Sequence, residues 1–397
     1  MSSYGIKDRV AIVGMGCTRF GERWDSSTGD MLIESTRAAL MEAGLEQDAI
    51  DAYWLGTMTS GFSGMTLSSV LKTKYKPVTR VENYCATGSE AFRNACYAVA
   101  AGAYDIVMAV GVEKLKDNGY SGLVNSDDST DGTATALSAP ARFSLLGPAY
   151  VEKYGVSRET FKQAMTHTAW KNHYNGARNP RAQFQAEVSK EKIDAAPAVA
   201  GDLGIFDCSG VSDGSAAAII VRAEDAYKYT DKPLFVKGLA FAAGPGTGPI
   251  DPRYDYTTFE EVVHSAADAY QQAGVEAPAE ELMMAEVHDC FTPTELVLME
   301  DLGFSARGTV CDDTLSGKFT LEGALPINPD GGLKSFGHPI GASGLRMLFE
   351  CWLQLRGEAP AERQVAARGK RYGLTHNLGG SPGDCVSFVS IVGPELG

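Results

Sequence analysis

Two short stretches of the chain, NYCATGS (83–89) and FGHPIGASG (336–344), follow one plan although they lie far apart. Each places one reactive side chain, Cys85 or His338, just before a glycine-containing turn that opens a predicted apolar helix. A cysteine and a histidine presented from matching helix N-termini supply the parts of an activated thiol nucleophile. The two stretches together therefore predict an enzyme that carries its substrate on Cys85.

The remainder of the chain repeats this plan in two halves. The first half has predicted strands at 10–15, 53–56, 106–111 and 216–221 and helices at 30–43 and 89–101, and the second has strands at 234–240, 285–288, 373–377 and 385–392 and helices at 260–273 and 342–355. Strands that alternate with helices and are apolar along nearly their whole length predict an α/β fold of mostly parallel sheets, covered on both faces. An internal duplication of this kind predicts two units packed together, with the functional site between them.

Residues 115–199 interrupt the repeat. They contain a polar stretch rich in glycine and serine at 125–135 and a predicted helix at 158–172. We therefore divide the chain into a first unit (1–114 and 200–230), an inserted loop domain (115–199) and a second unit (231–397). Such insertions often form lids or binding surfaces. A solvated flap or a contact between subunits is the alternative interpretation.

The composition of the 397 residues argues against several classes of protein. A formal net charge of −15 argues against a nucleic-acid partner, because nucleic-acid-binding domains present a basic face. No segment approaches the ~20 apolar residues that span a bilayer, and the N-terminus lacks the pattern of a secretory signal. Eight cysteines without a C-x-x-C pair predict reduced thiols in the cytoplasm and no structural zinc.

The chemistry of Cys85 depends on its surroundings. An isolated cysteine is most often a small buried hydrophobe, and a turn histidine such as His338 is often bonded only to backbone. The two residues together favour catalysis, since His338 is placed to remove the thiol proton. A helix N-terminus and a neighbouring histidine both lower the pKa of a thiol from about 8.5. We therefore expect the pKa of Cys85 to be lowered.

Two further segments carry candidate chemistry. In HDCFT (288–292), at the end of a predicted strand, His288 can donate to a developing oxyanion and Cys290 can move a proton. A metal bound by these two residues and His338 is chemically possible, but the spacing matches no recognised metal site, so we predict none. In THNLGGSPG (375–383), a glycine-rich turn can bring a backbone N–H close to a reacting carbonyl. Cys290 as core filler is the alternative.

Taken together, these segments and SGVSDGSAAAII (209–220) resemble the thiolase superfamily over essentially the whole chain. The resemblance implies two βαβαβαββ units that form a five-layered core, with a loop domain, and assembly as dimers or tetramers. It assigns Cys85 as the acyl-accepting nucleophile and His338 as its activating base, which also helps to bind the thioester oxygen. The backbone N–H of Gly379, with that of Cys85, is implied to form a second oxyanion hole.

Two departures from the biosynthetic and degradative thiolases point to one branch of the superfamily. Their Asn-Glu-Ala-Phe box is replaced by HDCF (288–291), and their second catalytic cysteine by Asn377. These changes resemble the sterol-carrier-protein-type and archaeal-type thiolases, in which the cysteine of the box acts as acid and base. The resemblance assigns this role to Cys290, with Cys385 as the other candidate. It also implies a small partner protein with a zinc ribbon and an OB fold.

The implied activity is that of an acyl-CoA thiolase, an acyltransferase that cleaves a 3-oxoacyl-CoA with coenzyme A or runs the reverse Claisen condensation. Coenzyme A is then a substrate, and no cofactor is bound. The acyl group ranges from acetoacetyl to bulky or aromatic groups, such as an arylsuccinyl type, and Tyr120 and residues 244–256 are expected to shape its pocket. A retro-aldolase acting on a β-hydroxyacyl-CoA and a non-catalytic acyl-CoA or lipid carrier are the alternatives.

The phosphates of coenzyme A call for cations at the mouth of the site. Because the overall charge is negative, these cations must form a local basic group. The candidates on the insertion are Lys171, His173, Arg178 and Arg181. Charged surface residues without a ligand are the alternative.

Overall fold

The computed structural model describes residues 5–117 and 138–397, so Tyr120 and the polar stretch 125–135 lie outside the described residues. The strands of the described part are β1 (Val10–Cys17), β2 (Ala52–Gly56), β3 (Val78–Val81), β4 (Ile106–Glu113), β5 (Ala198–Ala200), β6 (Leu203–Gly204), β7 (Gly214–Arg222), β8 (Leu234–Ala243), β9 (Leu282–Glu286), β10 (Tyr372–Ser381) and β11 (Asp384–Gly393). Its α-helices are α1 (Thr28–Glu42), α2 (Met65–Leu71), α3 (Thr87–Ala100), α4 (Ala139–Phe143), α5 (Leu146–Tyr154), α6 (Arg158–Ala177), α7 (Lys190–Asp194), α8 (Glu260–Ala273), α9 (Pro278–Glu281), α10 (Thr292–Asp301), α11 (Val310–Leu315), α12 (Gly332–Ser335) and α13 (Ser343–Arg356). None of the helices within these ranges has both the length and the apolar character needed to cross a membrane.

One mixed sheet of nine strands carries the duplication. Its order is β3-β2-β4-β7-β1-β8-β11-β10-β9. Outwards from the β1–β8 contact, β7, β4 and β2 follow on one side, and β11, β10 and β9 follow on the other. A parallel bridge between Ala285 and Ile327 extends the second half beyond β9, as β3 extends the first half beyond β2. The two halves therefore repeat one strand order, and the predicted duplication is confirmed.

Helices cover the two halves in five layers. α1 packs on the outer face of the first half and α8 on the outer face of the second, while α3 and α13 pack against each other between the halves. The side chains of β1 alternate accordingly: Ala11 and Val13 join the outer core with α1, and Val10 and Ile12 join the central core with α3 and α13. Burial on both faces explains why the strands are apolar throughout. The structure confirms the predicted five-layered α/β core.

The strand directions differ from the prediction. Only the β2–β3, β2–β4 and β9–β10 pairings of the large sheet are parallel in the described ranges, and the other pairings are antiparallel. The expectation of mostly parallel sheets is therefore wrong. Apolar strands indicate burial on both faces, and helices produce that burial in a mixed sheet as well as in a parallel one.

The described part of the insertion is built around α6. This helix begins after Ser157, whose hydroxyl accepts the Thr160 N–H at 3.0 Å, and it continues to Ala177, beyond the predicted end at 172. Most of its side chains are buried, and it packs against α10, α11 and α12 of the second half. α6 is therefore a wall of the second half and not a solvated flap. The division of the chain at 114, 199 and 230 stays a prediction.

Glycine contacts bring the two halves together at the centre of the molecule. A methyl group on Gly341 would lie 2.7 Å from the carbonyl oxygens of Gly56 and Val112, both in the first half. A methyl group on Gly344 would lie 2.5 Å from the backbone nitrogen of Ser89 in α3. Backbones can approach this closely only where the side chain is absent. The segment that leads into α13 therefore docks directly on the backbone of β2, β4 and α3.

Replacement of Gly341 by alanine tests this docking. Gly341→Ala is expected to lower the free energy of unfolding by about 3 kcal/mol, the upper end of the usual range for overpacking, because the added methyl group meets backbone that cannot rotate away. Thermal or urea-induced unfolding followed by circular dichroism measures the change. Gly204→Ala is the matched control, since the nearest atom to its added methyl group is 3.5 Å away and its φ of −88° suits alanine. Equal stability of the two variants would contradict the close docking.

Candidate active site

Cys85 lies in a tight turn immediately before α3. Tyr84, which precedes it, has a φ of 50°, in the left-handed region that bulky side chains avoid. The hydroxyl of Thr87 stabilises this turn, because it accepts the Asn83 N–H at 2.8 Å and donates to the Tyr84 carbonyl at 2.5 Å. Cys85 is thereby held, partly exposed, at the N-terminus of α3, as the sequence predicts.

His338 is held by contacts from both halves. Its backbone N–H donates to Ser212 Oγ at 2.9 Å, and its backbone forms a bridge with Val211. Its ring Nδ1 lies 2.8 Å from Ser343 Oγ, whose own proton goes to the Pro339 carbonyl at 3.1 Å. Ser343 therefore accepts the Nδ1 proton, and the lone pair of the ring is on Nε2. Nε2 is buried and has no hydrogen-bond partner among the described residues.

His288 joins the other two side chains from the end of β9. Its ring lies at 82° to that of His338, with 5.5 Å between the ring centroids. The Cys85 sulfur and one nitrogen of each histidine ring all lie within 4.8 Å of one another. Asn377 links this cluster to α3, since its Nδ2 lies 3.5 Å from His288 Nδ1 and its Oδ1 accepts the Ser89 hydroxyl at 2.5 Å.

Cys290 and Gly379 lie beside the same cluster. Cys290 is buried, with its sulfur 4.0 Å from Thr294 Oγ1 and close enough to the Cys85 sulfur for the two to interact electrostatically. Gly379 packs on the turn before Cys85, because a methyl group on it would lie 2.4 Å from the Asn83 carbonyl oxygen. The structure thus brings the five predicted catalytic and oxyanion residues together: Cys85, His288, Cys290, His338 and Gly379.

Cys385, the other candidate acid and base, faces away from this cluster. Its side chain is buried, and Glu261 of α8 is close enough to help burial raise the pKa of its thiol. Ser387, two residues further along β11 on the same face, is bonded to Ser265 of α8 at 2.7 Å. Cys290 is therefore the cysteine that lies next to Cys85.

Burial dominates the electrostatics of the cluster. It raises the pKa of the Cys85 thiol to about 12, and Glu82 and Glu113 act in the same direction. It lowers the pKa of His338 to about 3, and Arg346 adds to this effect. The expectation that the pKa of Cys85 is lowered is therefore wrong for the unliganded protein, because desolvation outweighs the helix N-terminus. At rest a neutral thiol therefore lies beside a neutral imidazole.

A buried polar network ties the loops that carry this cluster to α6. Asp289 of the HDCF box accepts the N–H groups of Leu333 at 2.6 Å and Lys334 at 3.1 Å, in the segment that leads to FGHP. Asn172 of α6 donates to both Asp289 and Glu295, each at 2.8 Å. One amide therefore satisfies two buried carboxylates and fixes the loops relative to the insertion.

Two of the four predicted phosphate ligands lie in this interior. Lys171 is buried and pairs with Glu295 at 2.6 Å. His173 is buried beside Lys334, with 3.3 Å between the two nitrogens, and desolvation together with that lysine lowers the pKa of His173 to about 3. The first cation is already compensated and the second residue carries no charge at neutral pH. Their prediction as phosphate ligands at the mouth of the site is therefore not supported by their positions.

The other two predicted ligands keep partial exposure. Arg178 lies 3.4 Å above the ring of Tyr174 and pairs with Glu187 at 2.7 Å. Arg181 donates to the Cys17 carbonyl at 3.1 Å. These contacts engage both guanidinium groups, and their assignment to coenzyme A stays a prediction. A cation that sequence analysis missed, Arg142, donates to Ser381 Oγ at 3.3 Å, two residues beyond Gly379.

Sequence analysis also missed the residues that orient the side chains of this cluster. Ser343 and Ser212 lie inside the stretches 336–344 and 209–220, so hydroxyl partners for His338 could have been sought there. Asn172 offered no signal, because its partners Asp289 and Glu295 are remote in sequence and meet it only through the packing of α6.

Alkylation of Cys85 by iodoacetamide is expected to be slow at neutral pH and to rise with pH towards the pKa of about 12. Only the thiolate reacts, and below the pKa its fraction grows about tenfold per pH unit. Peptide mass spectrometry after timed exposure measures the rate, with Cys85→Ala identifying the modified peptide. A rate that levels off near neutral pH would instead reveal a preformed thiolate–imidazolium pair.

Comparison with known proteins identifies the architecture. The sequence model of the thiolase N-terminal domain matches residues 10–224, and that of a thiolase C-terminal domain-like unit matches residues 247–390. The two matches cover both halves of the duplicated fold and include every member of the cluster around Cys85.

Full-length relatives agree with these matches. The acetyl-CoA acetyltransferase of Methanothermobacter thermautotrophicus is 37% identical over 388 residues, which are 96% of this chain and 98% of that protein. Sterol carrier protein 2 of Homo sapiens is 33% identical over 98% of this chain and 73% of that protein. Among solved structures, the Ltp2-ChsH2(DUF35) aldolase shares the fold with a TM-score of 0.81, at 24% identity over 98% of each chain. The chain therefore belongs to the thiolase family of acyltransferases, in the branch that contains the archaeal-type and sterol-carrier-type members.

Proposed function

We propose that the chain is an acyl-CoA thiolase of the acetyl-CoA acyltransferase type, which cleaves a 3-oxoacyl-CoA with coenzyme A or runs the reverse Claisen condensation. One observation carries the proposal: a thiol, an imidazole nitrogen without a partner in the described ranges and a second buried thiol converge between the two halves. The similarity to the archaeal acetyl-CoA acetyltransferase supports it. Coenzyme A acts as a substrate, and this chemistry needs no bound cofactor.

Acylation begins with the neutral pair. His338 Nε2 takes the thiol proton as the Cys85 sulfur attacks the ketone carbon of the substrate. The Cα–Cβ bond then breaks, the acyl group stays on the sulfur as a thioester, and the electron pair moves to the enolate of acetyl-CoA. Cys290 protonates that enolate carbon. Burial raises the pKa of Cys290, so this residue is a protonated thiol at rest, as a general acid must be.

Deacylation reverses the proton transfers. The Cys290 thiolate takes the proton of the coenzyme A thiol, and the coenzyme A sulfur attacks the acyl group on Cys85. The departing Cys85 sulfur regains its proton from His338. Every residue returns to its starting state, and one 3-oxoacyl-CoA and one coenzyme A have become two thioesters.

Two sets of donors serve the oxygens that gain negative charge. Asn377 Nδ2 lies 3.5 Å from His288 Nδ1, which favours the tautomer that carries its proton on Nε2 and can donate it. His288 and protonated His338 then serve one oxyanion, and the N–H groups of Cys85 and Gly379 serve the other.

The size of the acyl group is a separate proposal. The HDCF box favours a range that includes bulky or aromatic acyl groups, such as an arylsuccinyl type, besides acetoacetyl. A retro-aldolase acting on a β-hydroxyacyl-CoA is the second candidate, favoured by the aldolase among the structural neighbours, although that likeness concerns the fold. A retro-aldolase leaves no acyl group on Cys85, and neither does a lipid carrier.

Intact-protein mass spectrometry separates these functions. After brief exposure to acetyl-CoA or to 3-oxoacyl-CoAs of increasing size, the wild-type chain is expected to gain the mass of one acyl group, which disappears when free coenzyme A is added. Cys85→Ala is expected to gain none. The acyl group that loads fastest reports the substrate size. Aldehyde or ketone release from a β-hydroxyacyl-CoA, without any adduct, would establish the retro-aldolase instead.

Cys290→Ala is the matched variant in the same experiment. It is expected to accept an acyl group from an activated thioester, which needs no general acid, but to cleave 3-oxoacyl-CoA at least about 100-fold more slowly. Thiolysis at the wild-type rate would remove the acid and base role from Cys290.

We propose that the chain forms a homodimer through the outer edge of β3. Among the described residues no strand pairs with this edge. Large apolar side chains around it are exposed, namely Phe62, Met65, Tyr75 and Tyr84, with Phe62 95% exposed. An unpaired edge strand flanked by apolar side chains is a surface that another chain covers. The structural neighbour Ltp2-ChsH2(DUF35) aldolase combines two proteins, and a small zinc-ribbon and OB-fold partner is the heteromeric alternative.

Light scattering after size-exclusion chromatography tests the dimer. The wild type is expected at twice the chain mass, and Phe62→Glu is expected to dissociate at concentrations at least tenfold higher, because the charge would be buried at the contact. Met41→Glu is the matched control, since Met41 is exposed on the outer helix α1. A monomeric wild type at every concentration would rule this face out.

We also propose a cytoplasmic location. The eight cysteines are unpaired in the structure, and such thiols persist in a reducing compartment. Cell fractionation with a tagged chain tests the location.

A further inference from the structure

Three metal-ligating atoms converge in the active site. The Cys85 sulfur and one nitrogen each of His288 and His338 lie within 4.8 Å of one another, and this is the one grouping of at least three potential ligands found in the described ranges. One thiolate and two imidazoles suit zinc, whereas magnesium and calcium require oxygen ligands. The metal candidate from the sequence combined the two histidines with Cys290, and the structure groups Cys85 with them instead.

The surroundings of His338 prepare it as a ligand. Ser343 Oγ accepts the Nδ1 proton at 2.8 Å and thereby fixes both the ring orientation and the tautomer. The lone pair is then on Nε2, which is buried and has no partner among the described residues. In zinc sites, the ring nitrogen of a histidine that does not bind the metal usually donates its N–H to a hydrogen-bond acceptor. His288 binds the metal through one ring nitrogen and carries its proton on the other ring nitrogen.

The positions require only a small contraction. With zinc–sulfur bonds of about 2.3 Å and zinc–nitrogen bonds of about 2.05 Å, tetrahedral ligands lie roughly 3.3–3.6 Å apart. No two of the three ligand atoms are more than 4.8 Å apart, so the cluster must close by at most about 1.5 Å. Cys85 and His338 lie in turns that precede helices, where small rotations of the side chains suffice. Because Cys85 is partly exposed, a water molecule can occupy the fourth position.

We propose that Cys85, His288 and His338 bind one zinc ion reversibly, and that zinc blocks acylation. As the sulfur–zinc bond forms, the thiol proton passes to solvent, and a chelator that removes the metal restores the thiol. The metal uses the sulfur lone pair and the Nε2 lone pair that the reaction needs. The inhibition rests on the proposed function, whereas the binding does not.

Titration of the reduced, metal-free protein with Co²⁺ tests the binding. One equivalent is expected to produce a sulfur-to-cobalt charge-transfer band in the near ultraviolet, and Zn²⁺ is expected to remove it by displacement. Cys85→Ala is expected to abolish the band.

Ser343→Ala is expected to weaken binding by about tenfold or more, because it removes the hydrogen-bond partner that orients His338. Cys208→Ala is the matched control, because Cys208 is the other partly exposed cysteine and lies outside the cluster. The affinity of Cys208→Ala for Co²⁺ is expected to stay within twofold of that of the wild type.

The two proposals fail in different ways. Absence of the band in the wild type, or its persistence in Cys85→Ala, would overturn the zinc site even if acyl-Cys85 forms. A band with one metal per chain, but no acyl adduct in the metal-free protein, would keep the site and remove the thiolase function. If both stand, equimolar zinc is expected to reduce acyl loading of Cys85 at least tenfold, and EDTA to restore it. Acyl loading that zinc leaves unchanged would overturn the proposed inhibition.

Discussion

The active site depends on backbone contact between the two halves at the glycines of the central layer. Gly341 and Gly344 place the segment before α13 against β2, β4 and α3, where a methyl group would meet backbone atoms at 2.7 Å or less. Because side chains do not separate the two backbones, the N-termini of α3 and α13 lie next to each other. Cys85 and His338, which precede those helices, therefore come within reach of one another.

Buried charge around this contact adds rigidity at some energetic cost. Arg346 of α13 is buried and pairs with both Glu286 and Asp330 at 2.6 Å, which ties the central helix to β9 and to the loop before α12. Asn172 adds α6 of the insertion to the same set through Asp289. Ion pairs buried in this way contribute little net stability, but loss of one partner is costly. Their effect here is to hold three separate segments in one arrangement, which a catalytic cluster needs.

Burial also decides how the cluster reacts. It keeps the thiol of Cys85 protonated and the ring of His338 neutral, so neither group carries charge until a substrate arrives. A neutral imidazole with a free Nε2 lone pair can accept a proton from the thiol or bind a metal ion, and the same geometry supports both. Under the two proposals, acyl-CoA and zinc would compete for the same sulfur.

Much of this protein was readable from its sequence because the signals are local. The duplicated order of strands and helices, the helix at 260–273, and the turns that present Cys85 and His338 follow from apolar periodicity, glycine placement and short motifs. Strand direction did not follow, because burial on both faces leaves the same pattern in parallel and antiparallel strands. The length of α6 was underestimated, since its polar residues face partners inside the protein and not solvent.

The tertiary structure alone decided the electrostatics of the site and the hydrogen-bond partners of its reactive side chains. Lys171 is a basic residue in a polar helix, and only the packing of α6 against Glu295 makes it an interior ion pair. The pKa of Cys85 is raised because residues distant in sequence pack around its thiol and reduce its hydration, although the residue stays partly exposed. This effect outweighs the local helix N-terminus. The sequence by itself determined which side chains can react and which elements carry them. The fold determined their distances, partners and protonation, because these depend on solvent exclusion and on contacts between remote segments.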